Sequence, residues 1–128
     1  MNKSEPEYRY ATRAAILTIS EKFKWPFENS MQDWPLEVSD KIDLDVAIRE
    51  YPNLTDDDEK FVLMQGILYA LDGLQGEDFD RYSIPITKLL KENFNLHQAT
   101  IHYWTLYNTD FEDGFRITPL MRNIWDAQ

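Results

Sequence analysis

Thr55-Asp56-Asp57-Asp58-Glu59-Lys60-Phe61-Val62-Leu63-Met64-Gln65-Gly66-Ile67-Leu68-Tyr69-Ala70-Leu71-Asp72-Gly73 decides the fold of this chain. Thr55 reads as an N-cap, the three aspartates fill the electropositive first turn, and Asp58 stands at the capping-box position. From Phe61 to Leu71 only Gln65 and Gly66 interrupt an apolar run, so the helix should be buried nearly all round. Gly73 and Gly76 supply the stop. Such a helix needs others around it. Gly66 reads as a point of close helix contact, with a tolerated defect as the alternative reading.

Upstream, Tyr8, Ala11, Ala15, Ile16, Ile19 and Phe23 recur at three- and four-residue steps, predicting a helix from Glu5 to Phe23 capped by Ser4 and Glu7. A shorter helix is expected over Lys41 to Glu50, ended by Tyr51-Pro52-Asn53. Downstream, residues 77–83 read as an acidic loop, and Ser83 with Pro85 as the start of a helix carrying Ile86, Leu89, Leu90 and Phe94. A fifth helix spans Leu96 to Tyr107, with a short strand at 101–106 as the alternative because Ile101-His102-Tyr103-Trp104 is rich in β-formers. Thr118-Pro119 opens the last helix. The expectation is therefore all-α: one domain over residues 1–128, a bundle of about six helices in antiparallel hairpins, against an α+β alternative.

Between the first two helices, Trp-Pro-apolar-Glu occurs twice, at Trp25–Glu28 and Trp34–Glu37. A proline after each Trp disfavours helix there, so the indoles are expected to plug a loop onto the core, with ligand stacking as the alternative.

The 128 residues carry 23 acids against 13 bases, a formal charge of −10. Residues 28–59 alone hold eleven acids against Lys41 and Arg49. Nucleic acid and anionic membrane are disfavoured as partners, since both are held by Lys and Arg. Aromatics at 14% and apolar residues at 43% exclude disorder. No apolar run approaches a membrane span, the N-terminal stretch carries no signal-like apolar segment, and the lack of cysteine suits a cytoplasmic protein.

Catalytic signals are few. His97 and His102, five residues apart, fall on different faces of a helix and make a poor metal pair. Asn108 to Gly114 resembles a calcium loop, but Phe111 stands where an oxygen ligand is needed. No nucleophile motif or phosphate-cradling glycine loop occurs, and no cofactor or metal is called for. A small, acidic, cysteine-free chain without a catalytic constellation is similar in kind to immunity proteins and antitoxins.

The functional expectation is a non-catalytic protein that neutralises or escorts a basic partner protein, such as a nuclease toxin. Its contact region is expected at Glu28, Asp33, Trp34, Glu37, Asp40, Asp43, Asp45, Asp56, Asp57, Asp58 and Glu59, with Trp25, Phe27, Trp34 and Tyr51 as exposed aromatic anchors. The alternatives are a homo-oligomeric adaptor and a histidine-dependent enzyme using His97 or His102 with Lys88 or Lys91.

Overall fold

The computed structural model describes residues 6–28, 34–107 and 114–128. Among these residues the chain is all-α, with seven helices and no strand. They are α1 (Arg13–Phe23), α2 (Trp34–Glu37), α3 (Leu44–Glu50), α4 (Asp57–Asp72), α5 (Gly76–Glu92), α6 (Phe94–Thr105) and α7 (Thr118–Asp126). The stretch at 101–106 is the end of α6 and its cap, not a strand. One-turn 3-10 segments at Ser39–Lys41 and Tyr51–Asn53 flank α3.

α4 is the central rod. Val62, Leu63, Met64, Ile67, Leu68 and Leu71 are all fully buried, and α1, α2, α3, α5 and α6 each pack against it. Its N-cap is Asp56, whose carboxylate accepts from the Glu59 amide at 3.0 Å, so the cap falls one residue past Thr55. The close approach at Gly66 is real: a Cβ there would stand 2.9 Å from Ile42 Cδ1 and 3.3 Å from the Trp25 ring. Trp25 reaches that spot because Lys24 takes a left-handed conformation at φ 59°, reversing the chain at the end of α1. The Trp25 amide then returns to the Ser20 carbonyl at 2.8 Å, a Schellman-type closure.

Four helices differ from their sequence expectation. α2 forms at Trp34–Glu37, where the proline was expected to disfavour helix, because Pro35 falls in its first turn, where no amide donor is needed. α3 begins at Leu44 rather than Lys41, because Asp43 is its cap. α1 begins at Arg13, not Glu5: Thr12 Oγ1 accepts from the Ala15 amide, and residues 6–12 run without helical structure. The reason is long-range, because Arg9 is drawn away to Asp58 at 2.8 Å, with its guanidinium 5.4 Å above the Phe61 ring. α5 begins at Gly76, so the expected acidic loop is its first turns and Pro85 lies in its interior. Glu77 and Asp78 favour that start by complementing the helix dipole. Ser83 is no cap; its hydroxyl donates to the Asp80 carbonyl at 2.9 Å.

The far end is tied down by α7, which packs mainly on α6. Asp72 at the end of α4 accepts from the Ile117 amide at 3.1 Å, and Arg122 of α7 donates to the Thr105 carbonyl at 2.8 Å. No helix among the described residues is long and apolar enough to cross a membrane.

Candidate functional site

Folding separates the acidic segment into an apolar inside and a charged outside. Trp34 is only 3% exposed, Trp25 6% and Tyr51 1%. These residues are therefore not exposed anchors, and Trp34 drops out of the expected contact surface. The cause is that Trp34 and Tyr51 each find a polar partner, while Trp25 packs against Phe23, Trp34 and the bare backbone of Gly66. Trp34 Nε1 donates to the Pro26 carbonyl at 3.0 Å, and its ring lies 5.7 Å from that of Trp25. Both indoles thus plug onto the core as expected, although the second Trp-Pro opens the short helix α2 instead of lying in a loop.

The carboxylates remain outside but have different duties. Glu28, Glu37, Asp40, Asp43, Asp45, Asp56 and Asp57 are exposed, while Asp58 and Glu59 are half-buried. Asp33 lies outside the described residues. Asp43 caps α3, accepting from the Val46 amide at 3.3 Å, and Asp56 caps α4. Asp45 accepts from the Tyr82 hydroxyl at 2.9 Å, joining α3 to α5; that bond holds the Tyr82 phenol above its usual range. Asp58 pairs with Arg9. Of the segment's two cations, Arg49 pairs with Glu50 at 3.4 Å, and Lys41 is exposed. The expected calcium-like loop lies outside the described residues apart from Gly114.

The two histidines point to different neighbours. His102 packs its ring 5.0 Å from Trp125. His97 is fully buried, lying 2.5 Å from the Tyr51 hydroxyl through Nε2 and stacked at 15° to the Phe61 ring. Burial, helped by the charges of Arg9 and Lys60, pushes the His97 pKa down to about 3, so the ring is neutral. Burial likewise pushes Tyr51 upward, and Asp57 adds to the shift. His97 Nδ1 has no hydrogen-bond partner. Among the described residues no group of three or more His, Asp or Glu side chains is placed to hold a metal ion.

A feature whose walls the sequence foreshadowed only in Phe27 and Trp34 lies between the N-terminal segment, α4 and α6. A cleft of about 460 Å³ is walled by the rings of Tyr8, Tyr10, Phe27, Trp34, Phe61, Tyr69, Tyr103 and Trp104, and is lined also by Arg9, Gln65 and Thr100. The rings cross one another: Tyr69 meets Trp104 at 71°, Tyr103 meets Trp104 at 87°, and Tyr8 meets Tyr10 at 61°. Gln65 Oε1, Thr100 Oγ1 and Arg9 Nε are buried without partners. Its sequence signals are Phe27 and Trp34, expected as anchors, and Gln65, a polar residue inside an apolar run. Other clefts among the described residues include a shallow one of about 290 Å³ at Asp45, Arg81 and Tyr82 and a polar one of about 580 Å³ at Asp57, Lys91 and Asn93. Comparison with protein-family models, with curated proteins and with solved structures found nothing that matches this chain.

Proposed function

We propose that this chain is a non-catalytic binding protein that neutralises or escorts a basic partner protein, an inhibitor of the immunity-protein or antitoxin kind directed at a toxin such as a nuclease. The observation that carries the reading is the partition of residues 28–59. Their large aromatics turn inward, and of their cations Arg49 is already paired with Glu50. Glu28, Glu37, Asp40, Asp45 and Asp57 stay on the surface. A surface with so few compensating cations attracts a lysine- and arginine-rich face, speeds encounter and orients it. A cysteine-free chain suits a reducing compartment such as the cytoplasm, where a self-made toxin would need restraint.

The test pairs capture with charge reversal at residues that have no capping duty. Immobilised protein should retain a basic protein from native extract and release it as salt rises. A Glu28→Lys/Asp40→Lys variant should associate at least several-fold more slowly and with a flatter salt dependence. An association rate unchanged by those two reversals rejects the reading. The homo-oligomeric adaptor remains the second reading, favoured by the exposure of Tyr8 at 74%, Tyr10 at 73% and Ile84 at 74%. Light scattering separates the two: a concentration-independent dimer supports the adaptor.

A further inference from the structure

We infer that the aromatic cleft between residues 6–12, α4 and α6 seats a guanidinium: the side chain of an arginine on the partner. The inference rests on the basic-partner reading and adds the pocket and the side chain that fills it. Two observations and the chemistry of the guanidinium group converge. The walls offer ring faces at steep angles to one another, with Tyr103 and Tyr69 both crossing Trp104, an arrangement that lets a cation meet more than one π-face. Gln65 Oε1 and Thr100 Oγ1, on two side chains that line the cleft, are acceptors without donors. A guanidinium carries five N–H donors in one plane, so it can stack on a ring and donate at its edge in one pose.

The rings in this region already hold guanidiniums of the chain itself. Arg9 lies 5.4 Å over Phe61, and Arg13 lies 5.7 Å over Phe27. Among the described residues Arg9 is the one cation lining the cleft, and its pair with Asp58 at 2.8 Å offsets part of the repulsion a second guanidinium would meet there. The whole chain, at −10, draws cations and repels anions. An ammonium would satisfy the charge but not stack; an uncharged ring would stack but gain nothing from the field. Arginine meets both demands.

The experiment titrates the intact chain with three probes, following the Trp104 indole signal by NMR: blocked arginine (N-acetyl-arginine methylamide), blocked lysine, and blocked citrulline, the uncharged isostere of arginine. Blocked arginine should saturate at millimolar concentration. Lysine should bind several-fold more weakly and citrulline about tenfold more weakly. Tyr103→Ala, at a side chain 55% exposed, removes one wall at little risk to folding, and should weaken arginine binding by about tenfold. Gln65→Leu and Thr100→Val should weaken it several-fold while leaving the urea midpoint unchanged or higher, since each deletes a buried orphan atom. Equal binding of citrulline overturns the assignment, as does an absence of saturation, or binding that none of the three variants alters. The outcomes also separate the two proposals. Arginine seated in the cleft without capture of any basic protein rejects the function alone. A captured basic partner whose affinity ignores Tyr103→Ala and Gln65→Leu rejects the cleft alone.

Discussion

Lowering the pH from 6.5 toward 4 should destabilise this protein along a slope set by His97. The ring is fully buried between Tyr51 and Phe61, and its pKa in the folded chain falls to about 3. The unfolded chain releases that burial and takes a proton near pH 6.5. Between those values the unfolded state binds one proton more than the native state, so stability falls as pH falls, by about 1.4 kcal/mol per pH unit. From pH 6.5 to 5, above the usual carboxylate range, the loss amounts to about 2 kcal/mol, and it levels off below about pH 3. That is a large share of the 5–15 kcal/mol typical of a domain. The assay is urea unfolding at half-unit pH steps, followed by far-UV circular dichroism. A Tyr51→Phe/His97→Phe variant replaces both polar partners by rings of similar size and should lose most of the slope between pH 6.5 and 5. Tyr51→Phe alone leaves a buried imidazole without its one partner and should cost about 1–3 kcal/mol at pH 7. A wild-type slope retained in the double variant would refute the assignment to His97.

Three further outcomes follow from the packing. Asp56→Ala should cost about 1 kcal/mol and Thr55→Ala next to nothing, measured by the same urea midpoint, because Asp56 accepts the Glu59 amide. Arg9→Ala should cost no more than about 1 kcal/mol, since the pair with Asp58 is over a third exposed, yet should speed amide exchange through residues 6–12. Pro85→Ala should raise thermal stability by about 1–3 kcal/mol, because Pro85 sits inside α5 without an amide to donate.

What could be read from the sequence was what depends on neighbours in sequence. The apolar run from Phe61 to Leu71 announces a buried rod whatever surrounds it, and α4 is that rod. The Thr118-Pro119 start of α7 is similarly local. The start of α1 was illegible for the opposite reason. Ser4 and Glu7 have the right capping spacing, but a contact 49 residues away, from Arg9 to Asp58, holds that segment out of the helix. α5 was misjudged because glycine and three acids look like a loop, although acids beside an N-terminus also stabilise a helix. The inward packing of Trp34 is foreshadowed by its Trp-Pro motif, whereas nothing local to Tyr51 reveals that a buried imidazole 46 residues away awaits its hydroxyl. The aromatic cleft gathers residues from Tyr8 to Trp104 across separate elements, and no spacing rule could assemble it.

The separation of charge from rings carries a kinetic consequence. Exposed carboxylates act over several ångströms and mainly set how fast partners meet, whereas a filled aromatic pocket sets how long they stay. The folding of residues 28–59 removes Trp34 and Tyr51 from the acidic surface, leaving that surface with charge but little to grip. The exposed rings that remain near a cavity, Tyr8, Tyr10 and Tyr103, border the cleft instead. Perturbations of the two features should therefore appear in different rate constants. Glu28→Lys/Asp40→Lys should lower the association rate and weaken its salt dependence while leaving dissociation nearly unchanged. Tyr103→Ala should raise the dissociation rate by about tenfold with association unaltered. Surface plasmon resonance against the captured partner at two salt concentrations resolves the two constants. Both variants acting on dissociation alone would mean that the carboxylates are direct contacts rather than a guiding field, and the division of labour argued from this fold would be wrong.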